Sequence, residues 1–442
     1  MARTRILILG AAGKDFHVFN TLYREDDSVE VVGFTAQQIP HIEDRLYPAS
    51  IAGDLYPDGI KIYPEDDLDE LIGELRVDRC VMAYSDVSYD YVMHLAARIN
   101  ALGASFELPS ETRTMIESKL PVVAVCAVRT GVGKSQTSRA VARTLRDAGL
   151  KVAAIRHPMP YGDLEKQKVQ RFASEEDLVK HDVTIEEREE YEPHIANDSV
   201  VFAGVDYGAI LEEAEKEADV ILWDGGNNDT PFYVPDVHIT LVDPHRPGHE
   251  VSYYPGETNL RMADVVVINK VGTADPENVQ KVRESVQSVN PDATVLEAAS
   301  PIFVDDPSVL KGKKVLAVED GPTLTHGGMK YGAGTLGARR AGAAELIDPR
   351  PYLVGELVET FESYPELGVL LPAMGYGEQQ VKDLEATIKK AVDGGVEALA
   401  VGTPIDLARL VDIPVPNTRV RYELQVLGTP TLTDVLAPVL KG

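Results

Sequence analysis

Short apolar runs punctuate the chain from end to end. They include Arg5-Ile-Leu-Ile-Leu9, Val29-Glu-Val-Val-Gly-Phe34, Cys80-Val-Met-Ala-Tyr84, Pro121 to Val128, Lys151 to Ile155, Asp219 to Trp223, Val237 to Val242, Ala263 to Ile268, Lys314 to Val318, Leu367 to Leu371 and Val396 to Val401. Each is too short for a typical helix, and several stop at Gly, Asn or Asp before a segment of helical spacing. The runs are continuous rather than alternating, which places them inside a mostly parallel sheet covered on both faces. The fold class predicted is therefore α/β, with a Rossmann-like unit over residues 1–118 and a second α/β unit from 119 to 442. The segments at 367–371 and 396–401, within a C-terminal α/β extension at 350–442, are predicted to lengthen the sheet of that second unit.

One junction carries chemistry. The run Pro121-Val-Val-Ala-Val-Cys-Ala-Val breaks into Arg129-Thr-Gly131-Val-Gly133-Lys134-Ser135, and a helical segment from Gln136 to Ala148 follows. Strand, Gly-containing turn, Lys-Ser and helix make a phosphate-binding loop, in which backbone N–H groups and the helix dipole converge on an anion. Thr130, Gly131, Val132, Gly133, Lys134, Ser135 and Gln136 are the predicted nucleotide-binding residues, Lys134 reaching the β- and γ-phosphates and Ser135 holding Mg²⁺. Val128 stands where the usual pattern has its first glycine. The loop instead resembles the deviant form of the MinD-like and dethiobiotin-synthetase-like P-loop proteins, with Arg129 in place of an extra lysine and Thr130 in place of a glycine. Arg129 is thus a candidate catalytic cation, acting within one chain or across a homodimer. Val-Ile-Leu-Trp223-Asp224-Gly reads as a Walker B strand, so Asp224 is the second Mg²⁺ residue and a catalytic one. Asn269-Lys270-Val-Gly272 lacks the aspartate that reads guanine, which favours ATP over GTP, with Asn269 and Lys270 beside the base.

Further candidates are cations at strand ends. They are Arg156 and His157, then His245, Arg246 and His249, then Lys330 in the glycine-rich segment 325–340, which reads as a ligand loop. The turn at Gly10-Ala-Ala-Gly13, with His17 after it, is a weak Rossmann-type loop. Thr35-Ala-Gln-Gln stands where a ribose-binding acid belongs, so a nicotinamide cofactor is not indicated.

Composition changes the picture in two places. The formal net charge of −28 argues against nucleic acid or an anionic membrane as partner, and makes any polyphosphate site a local basic pocket in an acidic shell. Two cysteines, Cys80 and Cys126, lie in apolar runs and read as buried thiols. No run approaches the length of a membrane span, so the expected compartment is the cytoplasm. The acidic stretch from Ser174 to Glu192 reads as a solvated helical face.

Several blocks together resemble the cyclic 2,3-diphosphoglycerate synthetase family. They are Gly10 to Asn20, Arg156-His-Pro-Met-Pro-Tyr-Gly-Asp163, Asp243 to His249, Tyr254 to Ala263 and Thr325-His-Gly-Gly-Met-Lys-Tyr-Gly-Ala-Gly334. The resemblance implies a Mg²⁺- and ATP-dependent enzyme that closes 2,3-bisphosphoglycerate, or a related phosphorylated small acid, into an internal phosphoanhydride with release of ADP and phosphate. On that reading Arg156, His157, His245, Arg246, His249, Lys330, Gly10, Gly13 and His17 bind substrate. A regulatory or chaperone-type P-loop GTPase and a simple kinase of a phosphorylated acid remain open.

Overall fold

The computed structural model describes residues 3–37, 45–159, 162–320, 332–373 and 378–440. Three large sheets and one antiparallel pair, Val87–Ser88 with Tyr253–Tyr254, organise them. The first has the order Leu46–Tyr47, Ile60–Pro64, Val29–Ala36, Thr4–Leu9, Arg79–Met82, Ser105–Glu107, parallel except for its first strand. Thr4–Leu9 is flanked by Val29–Ala36 on one side and Arg79–Met82 on the other. The order therefore reverses beside it, and that reversal opens a crevice at the C-terminal strand ends.

The second sheet runs Gln170–Phe172, Val200–Ala203, Val152–Arg156, Val220–Trp223, Val122–Ala127, Val237–Val242, Val265–Ile268, Thr294–Ala299, Gln425–Leu427. Only its two edge strands are antiparallel to their neighbours. The phosphate-loop strand is central, and its residues divide between two cores. Val123 and Val125 pack on one face, Val122, Ala124 and Cys126 on the other. Both cysteines are buried free thiols.

The prediction for the C-terminal strands is corrected. They build a third sheet, in the order Ile302–Val304, Asn417–Tyr422, Ala398–Gly402, Lys314–Asp320, Glu345–Leu346, with Leu371–Ala373 also on Lys314–Asp320. The edge beyond Thr294–Ala299 is occupied by the antiparallel Gln425–Leu427, so no further parallel strand can add there. The acidic stretch is corrected too. It forms the helices Glu175–Lys180 and Ile185–Ile195, and Glu186, Glu187 and Glu189 are buried. Burial is tolerated because the acids are used: Glu187 completes its own helix cap at Thr184 and accepts from the Met159 amide, and Glu189 accepts from Thr403, just after the strand Ala398–Gly402.

Candidate nucleotide and substrate site

Gly131 and Gly133 have φ of +80° and +105°, the left-handed region that glycine enters without strain. They turn the chain from the central strand into the helix Lys134–Asp147. Three side chains from neighbouring strand ends fix the loop by its carbonyls. Asn269 donates to Val132 O at 2.8 Å, Lys270 to Gly131 O at 2.6 Å and Arg246 to Thr130 O at 2.9 Å. Asn269 and Lys270 thus brace the loop, a role their predicted place beside the base did not include. Gln136 is buried and accepts from Ser300.

Asp224 is the electrostatic centre. Its carboxylate accepts from Lys134 Nζ and Ser138 Oγ, each at 2.7 Å, on Oδ1, and faces Arg156 at 2.9 Å and His194 at 3.0 Å on Oδ2. Burial alone would push its pKa up. The Arg156 and Lys134 charges and the His194 hydrogen bond outweigh burial and hold it well below the usual carboxylate range. Ser138 and His194 were not singled out from sequence. His194 lies 30 residues from Asp224, on another helix, and no local spacing signals the pairing. The hydroxyl of Ser135, in the first turn of the loop helix, and the Asp224 carboxylate supply hard oxygen donors that suit Mg²⁺. Among the described residues no cluster of three or more His, Cys, Asp or Glu makes a separate metal cage.

Most of the predicted cations that are described gather, and Arg129, Arg156, His157, Arg246 and Lys270 each reach a carboxylate. Arg156 also meets Glu190 at 2.5 Å. His157 lies 2.8 Å from Asp229 and 2.5 Å from the Tyr207 hydroxyl. Arg129 meets Asp86 at 2.7 Å and stacks its guanidinium 3.8 Å over Tyr253, so it is turned into its own chain. Arg246 and Lys270 share Asp243, at 3.2 and 2.8 Å. His249 packs on Tyr253 beside Arg129. His245 is exposed and reaches only Thr273. Lys330 and the rest of 325–331 lie outside the described residues. The helix Ala333–Arg340 is described, and its first amides, Gly334 and Thr335, are taken by the buried carboxylate of Glu319.

The first sheet presses its crevice against this loop. Lys14 and Glu111 form a buried pair at 2.7 Å, and Glu111 also accepts from Thr230 and Tyr254. Gly13 lies against the His157 ring, where a side chain would collide. His17, predicted to bind substrate, is turned into packed protein. It is buried, stacked 4.0 Å from Phe232, and bonded to Thr114 O. Burial lowers its pKa to about 3. Asp15 packs on the Cα side of Gly10, and one carboxylate oxygen accepts from the Ala12 amide. Burial raises its pKa to about 7.

These two shifts oppose each other. A carboxyl whose folded pKa is raised makes the native state bind more protons than the unfolded one, so its contribution falls as pH rises from near 4 to 7. A histidine whose folded pKa is lowered does the reverse, gaining stability as pH rises from 3 to 6.5. Asp15→Asn removes the first slope only. Denaturant unfolding of that variant is expected to gain on the native protein as pH rises from 4 to 7, by up to roughly 4 kcal/mol. A pH-independent difference would show that Asp15 is ionised in the folded chain.

The family described as "Cyclic 2,3-diphosphoglycerate synthetase, P-loop domain" matches residues 175–299. A protein of Thermococcus kodakarensis named "Arginine synthetase ArcE" is 61% identical over 98% of this chain and 96% of its own length. A "Cyclic 2,3-diphosphoglycerate synthetase" of Thermococcus sibiricus is 23% identical over 64% of this chain and 68% of its own. Among solved structures, the ATP complex of LpxK from Aquifex aeolicus is 11% identical, covering 84% of this chain and 99% of that one, with a TM-score of 0.46. No helix among the described residues is long and apolar enough to cross a membrane.

Proposed function

The chain belongs to the cyclic 2,3-diphosphoglycerate synthetase family, and within it we propose an ATP-dependent synthetase whose product is arginine. The observation that carries this reading is the pairing of cations. Arg129, Lys134, Arg156, His157, Arg246 and Lys270 each sit against a carboxylate, so the described site holds little unspent positive charge for a substrate bearing two phosphates and a carboxylate. A substrate whose reacting end is neutral, and whose product is cationic, suits such a site. The likeness to a protein named arginine synthetase supports the same choice.

The chemistry follows from the product. Arginine differs from the ureido amino acid citrulline by one terminal nitrogen in place of oxygen, and a ureido oxygen is a poor leaving group. Transfer of the ATP γ-phosphoryl to that oxygen breaks one P–O bond and makes another. Ammonia then forms the C–N bond and gives up a proton, and the C–O bond breaks to release phosphate. Lys134 and the loop amides neutralise the γ-phosphoryl as it moves, and Arg156 supports Asp224 beneath it. Ser135 and Asp224 would hold Mg²⁺, which would supply Lewis-acid neutralisation of the same charge. His157, held between Asp229 and Tyr207, is the residue we assign to the ammonia's proton.

Ring closure of 2,3-bisphosphoglycerate is the second reading, favoured by the family match over 175–299. Both readings share the first phosphoryl transfer and divide at the acceptor. The test is Mg²⁺-ATP with citrulline and ammonium, or with 2,3-bisphosphoglycerate, followed by amino-acid analysis and phosphorus NMR. Arginine formed one-to-one with ADP is the expected result. Coupled anhydride resonances from the second substrate would replace the reading with ring closure, and a stable triphosphorylated product with kinase action. Hydrolysis indifferent to either substrate, or preferring GTP, would point to a P-loop switch.

A further inference from the structure

An ion pair can match charges and still leave donors unspent. Arg129 is such a case. It is 8% exposed, and a guanidinium carries five N–H donors in a fixed plane. Asp86 Oδ1 stands 2.7 Å from its Nε, yet neither atom makes a hydrogen bond, so the charges meet with the N–H out of line. Nη1 reaches His249 Nδ1 only at the long distance of 3.4 Å. Arg156, by contrast, has two carboxylates, Asp224 and Glu190. The Arg129 guanidinium carbon lies 3.8 Å over the Tyr253 ring, which fixes its plane, and the His249 ring is tilted on the same tyrosine at 4.8 Å.

His249 adds a donor. Burial first, then the charges of Arg129 and Arg246, lower its pKa, so the ring is neutral at pH 7. A guanidinium can only donate, so Nδ1 accepts from Arg129 and the ring proton sits on Nε2. These groups border open space. Thr130, Arg246, His249 and Tyr253 are half-buried, Asn227 beside Thr130 is exposed, and a side chain at Gly248 would meet no atom within 4 Å. Arg246 is committed to Thr130 O and to Asp243, and the neighbouring acid Glu250 is turned to the Gly248 amide. We propose that Arg129 and His249, carried on Tyr253 beside the phosphate loop, bind the α-carboxylate of a small amino-acid substrate. The planar fork of a guanidinium matches the two oxygens of a carboxylate. This rests on the reading above and deepens it: a ureido amino acid would set its carboxylate by Thr130 and its reacting end, several bonds away, over the loop. A single carboxylate asks for donors more than for surplus charge, which is what this side of the loop has left.

The test is titration calorimetry with arginine and with agmatine, which is arginine without its α-carboxylate. The native chain is expected to bind arginine about tenfold more tightly than agmatine. Arg129→Gln and His249→Phe should each weaken arginine about fivefold or more, leaving agmatine and Mg²⁺-ATP within about twofold. Thermal unfolding confirms that each variant is folded. His249→Phe keeps a ring on Tyr253 and carries the test alone if Arg129→Gln does not fold. Equal binding of the two ligands by the native chain, no binding of either, variants that keep the preference for arginine, or variants that weaken both ligands alike, would overturn the proposal. Arginine synthesis from citrulline, assayed in parallel, separates the two ideas. Product made by a chain that ignores the α-carboxylate sinks the anchor alone. A preference for arginine that the variants erase, without product, sinks the reaction and leaves the anchor.

Discussion

Asp224→Asn is expected to unfold with a Tm lowered by on the order of 10 °C and to retain about a thousandth of native ATP-driven turnover. The carboxylate meets Lys134, Arg156 and His194 at once, in a place 1% exposed to solvent. An amide of the same shape keeps the packing and removes the charge. Lys134 and Arg156 are left close together in low dielectric, Arg156 keeping only Glu190. Breaking a buried pair by neutralising one partner costs about 3–5 kcal/mol. The stabilisation Asp224 provides is present above its unfolded pKa and is lost only as pH falls through its lowered folded value. Calorimetric unfolding at neutral pH with a coupled ADP assay reads both effects. Native-like stability in the variant would mean that Asp224 is not the charge on which these cations depend.

Lys134→Ala separates catalysis from folding. Asp224 then keeps Arg156, His194 and Ser138, so Tm should move by only a few degrees. Turnover should fall by about 10³-fold, because a cation aimed at developing phosphoryl charge acts mainly in the transition state. The loss should appear in kcat more than in KM for ATP, since the backbone amides of the loop still receive the phosphates. Steady-state kinetics across ATP concentrations check this. A rise in KM with kcat intact would make Lys134 a binding residue and shift the catalytic burden to Arg156.

Both predictions rest on residues that could be read from sequence, and the reason is local. Lys134 and Ser135 follow a strand and a turn within one short window, and Asp224 ends an apolar run. What surrounds them could not be read that way. Ser138, His194 and Asp86 meet Asp224 or Arg129 across gaps that no helical or strand period encodes. The cations at strand ends were found, but their counter-charges were not, and the counter-charges decide what the site attracts. The third sheet was misassigned for a related reason. A buried strand has the same apolar pattern in any sheet, and the deciding feature was Gln425–Leu427, three residues capping an edge. The buried acids at 186–189 looked solvated because burial of a carboxylate depends on partners such as Thr403 and the Met159 amide, which lie elsewhere in the chain.

The junction between the first sheet and the phosphate loop limits how such a chain can be rebuilt. Arg129 and Thr230 belong to one unit, and their partners Asp86 and Glu111 to the other. A recombination that joined residues 119–442 to a different leading module would strand a buried guanidinium and a buried hydroxyl at the seam. The two halves are therefore poor currency for module shuffling. They change together, residue against residue, or the graft fails before it reaches any chemistry.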